Sequence, residues 1–234
     1  MDRKKQQSAK KKQAKTKQLK ARKKRLEAKS KILQRVRPNQ LTFSNNIYRF
    51  KISLLNFEPA IWRRIEIPDV TLEDLHYLIQ SAMGWENAHM HEFKIDDQSF
   101  GPSDVLEQGF AFGDTKSYDN VTIGSLVKEH GEKLSFLYDY DFGDGWSHNV
   151  KLEKVLDEAE PGKHYPRCVD GENACPPEDI GGVWGYADLL EAINDPDHPQ
   201  HEDMIEWHGK FDPTEFNPKT VSAYWEAESN RRDR

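Results

Sequence analysis

The chain has 234 residues, of which 36% are hydrophobic and 11% aromatic, and a formal net charge of −6. That length allows one domain of ordinary size plus an appendage. No apolar run reaches the ~18–20 residues that cross a bilayer, the basic start lacks the apolar run of a secretory signal, and two cysteines cannot make a disulfide framework. A cytoplasmic protein without a membrane span is expected.

The charge is separated along the chain. Residues 1–37 carry seventeen Lys/Arg against Asp2 and Glu27, a net +15, whereas the rest carries seventeen against thirty-eight acids, a net −21. Such asymmetry reads as a basic tail (residues 1–40) joined to an acidic body. From Lys4 to Arg37 there is neither Gly nor Pro, and the composition favours helix. Leu19, Leu26 and Leu33 are spaced by seven, but Arg22 and Lys29 occupy the other seam positions, too thin a seam for a coiled coil. Self-repulsion predicts a disordered or partly helical tail. Its basic residues, among them Lys10, Lys11, Lys12, Arg22, Lys23, Lys24 and Arg25, suit nonspecific phosphate contact. The tail has no aromatic residue to stack on bases, so such contact would be blind to sequence. A solvated extension, or one that docks on its own acidic body, is the other reading.

In the body, Ile47 to Phe57 alternates Tyr48, Phe50, Ile52 and Leu54 against polar residues, a strand with one buried face. Glu58-Pro59 turns the chain into a partner strand over 60–67. Thr71 caps a helix through Met83, with Asp74 at the third position of a capping box, Leu72, Leu75, Ile79 and Met83 inward, His76 on the flank, and Gly84 as the stop. A third strand is expected over 89–95, a long surface excursion over 96–120, and a short helix after Thr122. Leu134 to Phe142 and Trp146 to Leu152 alternate as a hairpin. A tight turn centred on Asp144 would pair Phe142 with Trp146, Tyr140 with His148, Tyr138 with Val150 and Phe136 with Leu152. Residues 157–185, dense in Gly and Pro, read as irregular. Helices are expected over 186–194, 199–208 and 218–228, with 226–234 as a polar end. The fold class is α+β, a single domain over 45–225 with a mainly antiparallel sheet and packed helices.

Several segments carry polar groups suited to chemistry. Asp139, Asp141 and Asp144 resemble the start of a calcium loop, but glycine and ligand positions are exchanged, and a turn using Asp-Gly is the simpler reading. His89 and His91 share a face if 89–95 is a strand, and suit a metal or an acid–base pair. Cys168 and Cys175 are too widely spaced for a standard zinc pair. They fit a structural loop, a zinc site completed by His148, His164 or Asp179, or a Cys/His catalytic pair. His198, His201 and His208 are flanked by acids and look solvated.

The ordered segments Ile61-Trp-Arg-Arg-Ile65, Thr71 to His76, Ile79 to Trp85, His89 to Phe93, Tyr138 to His148, and Cys168 through Cys175-Pro-Pro-Glu-Asp179 to Tyr186 resemble the Ri-plasmid ORF-3-like family. That family is also labelled a TnpR-like passenger protein of insertion elements. The resemblance covers roughly residues 45–225 and implies an association with mobile elements but no established activity. Recombinase chemistry is not expected, because the acidic body would repel DNA and offers few arginines around a nucleophile. Two functions remain. One is a noncatalytic binding or adaptor protein whose acidic body meets a protein partner while the tail touches nucleic acid. The other is a small metal-dependent or Cys/His-dependent hydrolase. For either, the expected cleft lies where the Asp-Gly turn, the Cys-Pro-Pro-Glu-Asp loop and the His89–His91 segment meet. Its candidates are His89, His91, Asp141, Asp144, His148 and Asp179, with zinc on Cys168 and Cys175 as the possible cofactor.

Overall fold

The computed structural model describes residues 46–109, 114–209 and 211–232, so the basic tail lies outside the described residues. In chain order the elements are β1 (Ile47–Leu54), β2 (Trp62–Ile67), α1 (Leu72–Met83), β3 (His91–Ile95), β4 (Gln98–Gly101), α2 (Ser103–Glu107), β5 (Lys116–Ser117) and α3 (Ile123–His130). Then follow β6 (Ser135–Tyr140), β7 (Trp146–Leu156), β8 (Arg167–Glu172), α4 (Gly182–Asn194), α5 (His201–His208) and α6 (Pro218–Arg232). The strands form one eight-stranded sheet in the order β5-β4-β3-β6-β7-β1-β2-β8. Every ladder is antiparallel except β4–β5. This is an α+β fold.

Alternation decides the two faces of the sheet. Tyr48, Phe50, Ile52 and Leu54 of β1, Ile65 and Ile67 of β2, and Phe136, Tyr138 and Tyr140 of β6 are buried in one cluster with Leu75, Leu78, Ile79 and Ala82 of α1. The opposite face is polar. There Arg64 pairs with Glu153 and Asp170, and Lys51 lies 4.5 Å over the Trp62 ring. Helix α1 begins where the Thr71 hydroxyl accepts the Asp74 N–H at 3.1 Å and ends at Gly84, whose φ of 112° requires glycine.

Helix α6 closes the β8 edge. The Ser222 hydroxyl accepts from the Cys168 N–H at 2.9 Å and donates to the Cys168 carbonyl at 2.8 Å. Both backbone groups of Cys168 are thus satisfied, which protects that part of the edge from pairing with another chain. Buried Trp225 of α6 donates to the Ser81 hydroxyl of α1 at 3.0 Å.

Five local expectations are corrected. The hairpin is offset by two residues, pairing Tyr140 with Trp146, Tyr138 with His148 and Phe136 with Val150. Asp141 leaves the strand with φ of 55°, its carboxylate accepts from the Gly143 and Asp144 N–H groups, and Gly145 N–H closes on the Asp141 carbonyl at 2.6 Å. The turn therefore spans Asp141–Gly145 rather than centring on Asp144. A two-residue offset leaves the paired side chains on their expected face, but Phe142 passes into the turn and is exposed. Residues 167–172, expected to be irregular, form β8, and the 96–120 excursion contains β4, α2 and β5, with Tyr118 buried. Helix α6, expected to end at 228, runs on to Arg232, and its Glu228 is buried. His76, expected on the flank of its helix, is buried in the interior.

Candidate functional site

Three segments converge at the end of the β6–β7 hairpin: the stretch before β3, the Asp141–Gly145 turn, and the loop from Cys175 to Gly182. The Asp141 N–H donates to the Met90 carbonyl at 2.9 Å, joining the first two. Asp144 Oδ2 accepts the Gly181 N–H at 3.0 Å, joining the second and third. At Gly182, with φ of 71°, a Cβ would stand 2.4 Å from the Asp144 carbonyl oxygen, so only glycine permits that approach.

His89, Asp141 and Glu178 meet here. His89 Nε2 lies 3.5 Å from Asp141 Oδ2, 3.8 Å from Glu178 Oε2 and 3.0 Å from Asp179 Oδ1. The Asp179 contact is the shortest of the three but is an ion-pair contact, not a hydrogen bond. Both His89 Nε2 and Glu178 Oε2 are buried atoms without a hydrogen-bond partner among the described residues. Glu178 Oε1, by contrast, is saturated by the Glu86 N–H at 2.6 Å and the Tyr140 hydroxyl at 2.9 Å. Its second oxygen is left to face the imidazole. Burial raises the Glu178 carboxyl above its ordinary range, partly offset by those two donors.

A closed circuit of hydrogen bonds holds the approach to His89. Gln80 Nε2 donates to the Tyr138 oxygen at 2.8 Å, and Tyr138 Oη lies 2.8 Å from His76 Nδ1. His76 Nε2 lies 2.9 Å from Asn87 Oδ1, and the Asn87 N–H returns to Gln80 Oε1 at 2.8 Å. The amide oxygen of Asn87 can only accept, so His76 carries its proton on Nε2 and takes the Tyr138 hydroxyl proton on Nδ1. Burial, with His91 beside it, drives the His76 pKa well below the usual value, and the ring is neutral. Asn87, at φ of 51°, sits two residues before His89.

Of the expected cleft residues, His89, Asp141, Asp144 and Asp179 share this corner. His91 does not point into the cluster. Its ring stacks on His76 with centroids 3.4 Å apart, and Nε2 meets the Tyr118 hydroxyl at 3.0 Å. His148 is also elsewhere, fully buried between Tyr138 and Trp85 with Nδ1 on the Tyr138 carbonyl at 3.1 Å. Burial lowers the two to about 3 and about 4 respectively, so both are neutral. Cys168 and Cys175 form no disulfide, and neither belongs to a group of three metal-capable side chains among the described residues. Burial pushes the Cys168 thiol up to about 12, the reverse of an activated nucleophile. Glu178 is the member that sequence reasoning missed, although it stands in the Pro-Pro-Glu-Asp run beside Asp179.

Comparisons with known proteins agree on kinship. The family described as plasmid pRiA4b ORF-3-like protein matches residues 46–220. The uncharacterized protein y4hQ of Sinorhizobium fredii is 40% identical over 168 residues, covering 71% of this chain and 83% of that protein. The crystal structure of MM3350 from Methanosarcina mazei Go1, a protein of unknown function, superposes with a TM-score of 0.67 at 38% identity, covering 76% of this chain and 99% of that one.

Proposed function

The chain belongs to the plasmid pRiA4b ORF-3-like family, and from that premise we propose that its domain holds a divalent cation at His89, Asp141 and Glu178 and serves metal-dependent chemistry of the hydrolytic class. The carrying observation is a pair of buried atoms without a hydrogen-bond partner among the described residues, His89 Nε2 and Glu178 Oε2, facing one another 3.8 Å apart with Asp141 Oδ2 at 3.5 Å from the imidazole. Ligands held at ~2.0–2.1 Å in a tetrahedron stand about 3.3–3.5 Å from each other, close to these separations. One imidazole with two carboxylates suits zinc or manganese, and the absence of a thiolate disfavours softer ions. Such an ion polarises a substrate oxygen or lowers the pKa of bound water. The chain's own part is to hold the ligands. The Asp141 carboxylate is fixed by its turn, Glu178 by Glu86 and Tyr140, and His89 by the circuit that ends at Asn87. Asp179, largely exposed, sits at the mouth, where it would have to yield its place on Nε2.

Calorimetric titration of the full chain with Zn²⁺ and Mn²⁺ tests the reading. Micromolar or tighter binding at one site is expected, weakened about 10–100-fold by Asp141→Asn and by Glu178→Gln. No saturable binding in the wild type would mean that the cluster is only an imidazole ion-paired with its carboxylates.

A second reading, a binding or adaptor role, draws support from a different observation. The large apolar side chains exposed among the described residues are Met90, Phe142 and Trp184, the last 82% exposed. Met90 and Phe142 stand on segments that build this corner, and Trp184 lies two residues beyond Gly182, in the first turn of α4. A partner protein would find its apolar contacts there, while the +15 tail would add sequence-blind nucleic-acid contact.

A further inference from the structure

On the other side of Glu178 lies a cavity of about 420 Å³, bounded by the end of α1, the 174–178 loop and the segment entering α6. Its charged floor is Arg63, which β2 points inward rather than toward solvent, so that only 1% of the residue is exposed. A buried guanidinium ordinarily meets a carboxylate. This one does not. Nε donates to the Ala82 carbonyl at 2.9 Å, and Nη1 donates to the Trp62 and Glu172 carbonyls at 2.8 and 2.9 Å. The Phe216 ring covers one flat side at 3.7 Å, a contact made possible because Gly171 has no Cβ. Arg63 has no ion pair among the described residues, and its third nitrogen, Nη2, makes no hydrogen bond there. Removal from water lowers its pKa to about 10, which leaves it charged at neutral pH.

Three backbone carbonyls therefore hold a cation in place while two N–H bonds of Nη2 stay unspent at the cavity. That is a donor set for one oxyanion. The remaining lining narrows the choice. Phe211, Phe216, Pro177 and Val221 supply apolar wall. Glu86, Glu178 and Glu215 also line the cavity, so acids outnumber its one cation. A phosphate dianion would be repelled by that surplus, and a plain fatty carboxylate would leave it unanswered.

We propose that this cavity takes a small zwitterion of the apolar amino-acid type, with its carboxylate on Arg63 Nη2, its ammonium toward the glutamates and its side chain against the Phe211–Phe216 wall. The volume lies within the range of small-molecule sites. The inference has its own anchor, since Arg63 does not take part in the His89 cluster, although Glu178 borders both sites.

The test is calorimetric titration of the full chain in excess EDTA, which removes any cation and so separates this inference from the previous one. The probes are L-leucine, 4-methylpentanoate (no amine), 3-methylbutylamine (no carboxylate) and inorganic phosphate. Leucine is expected to bind best, 4-methylpentanoate about tenfold or more weakly, and the amine and phosphate not measurably. Arg63→Gln should abolish leucine binding. Because that variant strips bonds from buried carbonyls and is at risk of not folding, Glu215→Gln at an exposed position provides a second arm. It should weaken leucine while leaving 4-methylpentanoate unchanged. No heat with leucine at millimolar concentration, phosphate binding more tightly than leucine, or undiminished leucine binding by folded Arg63→Gln would each overturn the proposal.

Discussion

Glu178 is pulled in two directions, because the fold stations a carboxylate where water cannot fully reach it. Its pKa is raised, and the sign of the consequence is definite. The folded chain keeps the Glu178 proton to higher pH than the unfolded chain does, so its contribution to stability falls as pH rises through the raised value. Glu178→Gln keeps the shape and removes the titration. In the metal-free protein this variant should be more stable than wild type at pH 7, with the difference shrinking toward pH 4.5, as read from urea midpoints. The same substitution should weaken cation binding. Stability gained while affinity is lost marks a residue placed for binding; loss of both would mark a merely structural one.

Elements stand on the burial of one face and on the closure of their ends. Leu75 and Ile79 of α1 have no exposed surface. Leu75→Ala and Ile79→Ala should each cost ~2–5 kcal/mol in chemical denaturation, through lost transfer energy and the cavity left behind. A cost under half a kcal/mol at both would contradict the packing described. For α6, the sensitive point is Ser222, which serves both the N–H and the carbonyl of Cys168. Ser222→Ala leaves two backbone groups unpaired under the helix and should cost about 1–3 kcal/mol. It should also speed hydrogen exchange at the Cys168 amide, whereas the Phe50 amide in the middle of the sheet should be much less affected.

The whole molecule carries two electrostatic signatures. Burial holds His76, His91 and His148 neutral, all with lowered pKa values. Unfolding below about pH 6.5 then frees three imidazoles to take up protons, so stability should fall steadily as pH drops from 6.5 toward 4.5. Glu178 opposes part of this, and the slope should correspond to roughly two to three protons; a flat profile over that window would exclude three neutral buried rings. The second signature is charge separation. Removing residues 1–37 takes away +15 and leaves −21. If the tail is the nucleic-acid contact, the truncated protein should lose binding to mixed-sequence RNA and DNA at low salt. Undiminished binding after truncation would move the contact to the polar sheet face around Arg49, Lys51 and Arg64. Arg63 is excluded because it is buried on the other side.

The sequence by itself determined the elements and their faces where a period runs unbroken. Tyr48 to Leu54, Leu72 to Met83 and Phe136 to Tyr140 each place every second or every third-to-fourth residue inward, and the structure buries those residues. It also determined kinship, through the Asp-Phe-Gly-Asp and Cys-Pro-Pro-Glu-Asp segments, and the opposition of charge between tail and body. Side-chain period says which face a residue takes but not where strands meet end to end, so the hairpin offset by two was invisible to it. Only the tertiary structure decided that His89, Asp141 and Glu178 would share one corner, that His91 and His148 would be spent in packing, and that Arg63 would answer to carbonyls alone. Those outcomes depend on backbone angles at Asp141, Gly181 and Gly182 and on which distant groups are left unpaired after folding. Local patterning encodes burial, whereas the meeting of polar groups from separate loops is settled by the packed chain as a whole.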